Sequence, residues 1–250
     1  MKNVFKIGGV VLVVGLIILG IGFFNGGNKT VYFDGSRPRI VHNHVYHLST
    51  NKSFERVDIS ASTANVVIRE GKKYQVAYYG VGGHVPAATV HNQVASLRQT
   101  GGALYALNLN SYRDQDLIVI TVPHDQPLAG QIHLDSGDLT VKDINLENAH
   151  VKVDSGDVDY QGVTLNNGQT SIQSGDFEGQ QLTVYGHYTV KNDSGDNTVT
   201  NTTVDGYELQ TDDGDNELNG EDKGSQTLTE NTSATNVLKL VTQSGDNEVN

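Results

Sequence analysis

The chain has 250 residues and no cysteine, so neither a disulfide nor a lipid-attachment thiol can hold it, and its stability must come from burial and hydrogen bonds. Its net charge of -12 is unevenly spread: from Gly130 onward 22 Asp plus Glu stand against 5 Lys, whereas the part before it has 12 basic and 7 acidic residues. An acidic coil of that kind repels phosphate backbones, which excludes nucleic acid as a partner.

Residues 1–6 include Lys2 and Lys6, and residues 7–24 follow with no charge and no proline. As a helix this apolar run would be about 27 Å long, close to the hydrocarbon thickness of a bilayer. The positive flank predicts a cytoplasmic N-terminus, a transmembrane anchor over residues 7–24 and a remainder outside the membrane. A cleaved signal peptide fits less well, because no small-x-small site follows the run. Residues 25–53, with Gly26, Gly27, Gly35 and Pro38, read as a stalk. Its His42, His44 and His47 resemble zinc or copper ligands in type, but in an extended chain His47 faces away from the other two, so a plain polar stalk is expected.

From Phe54 the apolar residues fall two apart: Val57 with Ile59, Val66 with Ile68, Val76 with Tyr78. Period two marks half-buried strands. Residues 60–65 sit where a turn would sit and read as a worn rung opening the coil. Residues 80–86 are loop, and Gly82-Gly83 lack the strand-to-helix setting of a nucleotide-binding fingerprint. Leu104, Ala106 and Leu107 continue the strands, and 118–122 forms another that Pro123 ends.

One phrase then returns: Asp135-Ser136-Gly137-Asp138, Asp154-Ser155-Gly156-Asp157, Gln173-Ser174-Gly175-Asp176, Asp193-Ser194-Gly195-Asp196, Asp212-Asp213-Gly214-Asp215 and Gln243-Ser244-Gly245-Asp246. Glycine to glycine, the steps are 19, 19, 20, 19 and 31 residues. A fixed period near twenty marks a solenoid whose rungs cannot bury their apolar sides alone. Gly137, Gly156, Gly175, Gly195, Gly214 and Gly245 are expected to turn the chain with help from neighbouring Asp and Ser. A rival use of the column Asp138, Asp157, Asp176, Asp196 and Asp215 is calcium binding, since hard cations take several carboxylate oxygens. The known calcium-binding β-roll repeat is shorter, however, and has two glycines before its Asp. The long last step predicts an inserted loop over 221–235, and the four residues after Asp246 predict an incomplete, thinly capped final rung.

The order Leu-Ile-Val-Ile-Thr-Val-Pro at 117–123, Ile-His-Leu-Asp-Ser-Gly-Asp at 132–138 and the later Ser-Gly-Asp rungs, behind an apolar N-terminus, resembles the bacterial putative-adhesin β-solenoid family, which includes LiaG-like envelope proteins. The resemblance spans residues 54–250. It implies an all-β, single-stranded right-handed β-helix, regular from about residue 132 and displayed outside the cytoplasmic membrane. It brings no reaction, no cofactor and no functional residue.

Other β-helices are polysaccharide lyases and hydrolases. A lyase resembling pectate lyase would need an Arg or Lys base beside calcium-binding carboxylates, and no Arg follows Arg113. A hydrolase could pair Asp212 with Asp213, or Asp215 with Asp196 one rung away. Every rung offers the same pair, so no environment splits their pKa values. GxSxG, HExxH and a cysteine nucleophile are all missing, and His187 has no evident partner base. The expectation is a non-enzymatic binding or structural module of the cell envelope, with a polymer or envelope protein as partner. A carbohydrate-active enzyme and a calcium-stabilised coil are the alternatives.

Overall fold

The computed structural model describes residues 31–34, 37–40, 44–80, 85–100, 106–107, 116–222 and 226–250. The expected membrane segment, 7–24, lies outside them, as do His42 and Gly82-Gly83. No helix among the described residues is long and apolar enough to cross a membrane. The backbone divides into two compact units. In the smaller, Val31–Asp34 pairs antiparallel with Arg37–Ile40 and with Ala106–Leu107. Ala106 and Leu107 therefore do not continue the main strands as the sequence suggested.

The larger unit is all-β, with an 11-stranded and a 10-stranded sheet, both mixed. Each Ser-Gly-Asp turn joins a strand of the 10-stranded sheet to one of the 11-stranded sheet. In chain order the rungs are Pro127–Leu134 with Leu139–Lys142, Asn145–Val153 with Val158–Gln161, Thr164–Ile172 with Phe177–Gln180, Thr183–Ser194 with Asn197–Thr200, Gly206–Asp213 with Asn216–Leu218, and Val237–Ser244 with Asn247–Val249. We number them one to six. Within each strand the alternation seen in the sequence is realised: Leu139 and Val141 are buried beside a half-exposed Thr140, and the inward rows of both sheets form one apolar core.

Two columns of turns close the rungs. In the first, Gly156 has φ 140, and a Cβ there would come within 2.3 Å of the carbonyl oxygen of Gly137. The other five phrase glycines share this conformation and the same contact with a neighbouring backbone carbonyl. The phrase is glycine because rungs touch there, main chain on main chain. Beside it runs a hydrogen-bonded ladder: Asp138 N–H donates to Asn65 Oδ1, and Asp157, Asp176, Asp196, Asp246 and Asp215 each donate to the Oδ1 of the one before, at 2.8–3.1 Å. Asn65 stands in for Asp in the opening rung, Arg56–Ala61 with Asn65–Gly71, which stacks in parallel on rung one. The second column is Asp143, Gly162, Gln181 and Asn201, at φ of 54, 62, 56 and 55. The sequence reading passed over it because its residue type changes from rung to rung.

The rungs do not stack in chain order. Thr183–Ser194 pairs with Val237–Ser244, and that strand pairs in turn with Gly206–Asp213, all in parallel. Rung six lies between four and five in both sheets. The last rung is thus internal and doubly paired, not the thinly capped end predicted from the sequence. Residues 221–235 are not simply a loop either. Glu221–Asp222 and Thr227–Glu230 run antiparallel along the outer edges of rung five and cover them. At the other end, antiparallel His44–Thr50 and Ala87–His91 flank the sheets. His44–Thr50 therefore belongs to the folded body and not to a stalk. A plain single-stranded coil would have neither the antiparallel flanks nor the intercalated rung.

The polar interior ties the last three rungs into one block. Asn197, Asn247 and Asn216 are buried, with Asn197 Nδ2 donating to Asn247 Oδ1 at 2.7 Å and Asn247 Nδ2 to Asn216 Oδ1 at 2.8 Å. Buried amides need partners, and stacking these rungs on one another supplies them, with Asn197 Oδ1 left unpaired at the block's edge.

Candidate functional site on the outer wall

Residues that alternate with the core point outward from the 10-stranded sheet, and stacking puts them in rows. One row, in register, is Arg98, Ser60, His133, Lys152, Ser171 and Lys191. The next is Ser96, Asp58, Gln131, His150, Gln169, Thr189, Lys239 and Glu208. Between the rows lies an open groove of about 580 Å³. Its cationic and donor side chains are Arg98, His133, His150, Lys152, Gln131 and Gln169, and its single carboxylate is Asp58. Asp58 is already held: Arg98 binds its carboxylate and donates to its backbone oxygen at 2.8 Å. The groove is thus rich in donors on a strongly acidic chain.

At the groove's end three donors converge. His133 Nε2 lies 3.4 Å from Asp154 Oδ2 and 3.6 Å from Asp135 Oδ1, and the three donor atoms all fall within 4.8 Å of one another. His133 is on the strand Pro127–Leu134, Asp135 follows that strand's end two residues on, and Asp154 follows the end of the adjacent strand Asn145–Val153. Lys152 Nζ donates to Asp154 Oδ1 at 2.6 Å. That hydrogen bond, aided by His133, holds the Asp154 carboxyl below the usual carboxylate range. This is the one such His/Asp group among the described residues. The sequence reading missed it, although its signal was present: His133-x-Asp135 and Lys152-x-Asp154 stand one period of 19 residues apart, which makes them neighbours in the stack.

The residues singled out from the sequence sit elsewhere. Asp138, Asp157, Asp176, Asp196 and Asp215 are exposed along the turn edge, each in the backbone ladder described above. Asp196 and Asp215 are not on adjacent rungs as expected, because Asp246 lies between them. His187 is exposed, and its backbone N–H donates to Asn167 Oδ1 at 3.1 Å. His47 meets Gln75 Nε2 at 2.7 Å, and His44 packs edge-on against Tyr46. Deep in the core, Thr170 Oγ1 meets the hydroxyls of Tyr160 at 2.9 Å and Tyr188 at 2.8 Å, and burial keeps both phenols neutral by raising their pKa.

A family model described as Toastrack DUF4097 matches residues 126–250. Among solved structures, a "putative cell adhesion protein" from Clostridium sporogenes aligns at 13% identity and TM-score 0.46, covering 84% of this chain and 98% of that one. A "putative adhesin" from Bacteroides fragilis aligns at 12% identity and TM-score 0.35, covering 84% and 97%. A "putative lipid binding protein" from Parabacteroides distasonis aligns at 10% identity and TM-score 0.25, covering 84% and 97%. No curated protein sequence matches the chain.

Proposed function

The chain belongs to the Toastrack DUF4097 family, and from that premise we propose that it is a non-enzymatic binding module, tethered outside a bacterial cytoplasmic membrane by residues 7–24, whose outer wall docks an extended anionic envelope polymer. The observation that carries this reading is the donor-rich groove of Arg98, His133, His150 and Lys152 on a chain of net charge -12. Registered rows on a rigid sheet favour contact with an extended chain over enclosure of a small molecule. The tether rests on the uncharged run 7–24 behind Lys2 and Lys6.

Binding of the purified full chain to isolated envelope polymers bearing phosphate or carboxylate groups tests the reading. Binding is expected to weaken with salt and to fall about tenfold, or ~1.4 kcal/mol, in Lys152→Ala. Binding indifferent to salt and to Lys152 would remove the groove from the account, and shortening of the polymer on incubation would favour the carbohydrate-active enzyme instead. Calcium enters as a separate reading, because the turn-edge carboxylates form a continuous exposed column. A melting temperature that is the same in chelator and in calcium would remove that reading.

A further inference from the structure

We propose that His133, Asp135 and Asp154 form a three-ligand site for a divalent transition metal of the zinc type. Zinc binds imidazole nitrogen and carboxylate oxygen at ~2.0–2.2 Å, so neighbouring ligands of a tetrahedral ion stand about 3.4 Å apart. The 3.4 and 3.6 Å separations from His133 Nε2 to Asp154 Oδ2 and Asp135 Oδ1 already match that edge. His133 lies on the strand Pro127–Leu134, and Asp135 and Asp154 directly follow that strand and its parallel neighbour with their N–H groups still bonded to Ala61 O and Leu134 O at 2.9 Å, so the backbone holds all three near one another. Nitrogen with two carboxylates is a donor set that zinc accepts, and the single imidazole disfavours calcium or magnesium, which take oxygen ligands. With three protein ligands, a fourth position is left for water.

A cation is already drawn to this spot. Lys152 Nζ lies 2.6 Å from Asp154 Oδ1 and 3.5 Å from His133 Nε2. A metal would take His133 through Nε2 in the tautomer that carries its proton on Nδ1. Lys152 is thus an internal competitor on a mobile stem that a metal ion would displace into solvent, where its side chain is already 58% exposed. The inference stands apart from the docking function, since it concerns metal uptake without any polymer.

The test is titration of the metal-free full chain with zinc by calorimetry and with cobalt by visible absorption, which reports tetrahedral coordination. One equivalent is expected to bind, with loss of that equivalent in His133→Gln and in Asp154→Asn, and several-fold tighter binding in Lys152→Met. The two near-isosteric variants guard against loss of fold, which the β-sheet circular dichroism of each checks. Absence of stoichiometric binding would overturn the site. So would binding unchanged in both His133→Gln and Asp154→Asn, which would place the metal on other histidines of the chain.

Discussion

The rungs next to the opening layer and those at the far end share one backbone but bury different chemistry. Near the opening, one inward column reads Ala61, Leu134, Val153 and Ile172, and the facing one Val66, Leu139, Val158 and Phe177. On rungs four, six and five the same columns continue as Asn192, Thr242 and Thr211, and as Asn197, Asn247 and Asn216. An apolar column gains from burial whichever apolar neighbour it meets. A buried amide or hydroxyl is stable only against its own partner, so it discriminates between neighbours. It therefore holds the three polar rungs together against the apolar ones without ranking them: rung five takes the end because Glu221–Asp222 and Thr227–Glu230 fold back onto its outer edges, and rung six fills the place between five and four. Thr211 Oγ1 and Thr242 Oγ1 add to the polar block by donating to Gly245 O at 2.9 Å and Gly195 O at 3.0 Å.

Truncation within the apolar part should cost most. Phe177 is buried against the edge of Tyr160, with ring centroids 5.4 Å apart. Phe177→Ala should lose about 3–5 kcal/mol in denaturant unfolding. A loss below ~1 kcal/mol would mean that the core there does not behave as one packed body.

Asn247→Ala removes the middle of the amide ladder and with it the bonds that Asn197 and Asn216 make to it, for an expected loss of about 2–4 kcal/mol. The sharper experiment replaces Asn197, Asn216 and Asn247 together by Val. Stability should then largely survive, and so should the order, because three identical amides group the rungs without ranking them. Ser194 is paired with Ser244, and Ser244 with Asp213. In this cysteine-free chain, S194C with S244C should therefore cross-link on the native background and S194C with D213C should not. On the triple-Val background the outcome should be the same. Cross-linking through 194–213 there would show that the amides, not the strands folded onto rung five, set the order.

Much of this architecture was legible beforehand. The period near twenty, the turn glycines and the worn opening rung follow from local rules, because stacking makes residues one period apart into neighbours. The position of rung six does not follow, since a 31-residue step reads equally as an insertion or as a bypass. A trace of it was present: of the six phrases only those at Asp196, Asp215 and Asp246 are followed by Asn. That groups the three rungs without ordering them. The groove and its His133 cluster were hidden for another reason, because the search for chemistry followed the repeated Asp of the phrase instead of the outward residues two positions before it.

The turn ladder offers a milder contrast. Asp157 accepts the Asp176 N–H at 2.9 Å on the exposed edge, and Asp157→Ala should cost about 1 kcal/mol, a single hydrogen bond's worth, by thermal melting. The corresponding substitution of Asp246, inside the polar part, should cost the same if the ladder is uniform along the stack. A larger loss at Asp246 would mean that the turn column also helps to hold the polar rungs together.

Two residues along the same rung, Asp159 has the opposite character. Its Oδ1 is buried without a partner, and in register beside it on rung three stands Glu178, while Gln161 Nε2 reaches only Oδ2 at 3.0 Å. Burial first, and then Glu178, push its carboxyl above the ordinary range. Folding therefore favours the protonated form. The penalty is absent below the unfolded value of about 3.9, grows as pH rises through the folded value, and is fully present at neutral pH. Asp159→Asn should accordingly stabilise the protein at pH 7 by about 0.2–1 kcal/mol, the range for a like-charged cross-strand pair. That gain should vanish when melting is repeated in acid. Persistence at low pH would assign the effect to packing of the amide and leave the Asp159–Glu178 repulsion without a measurable share.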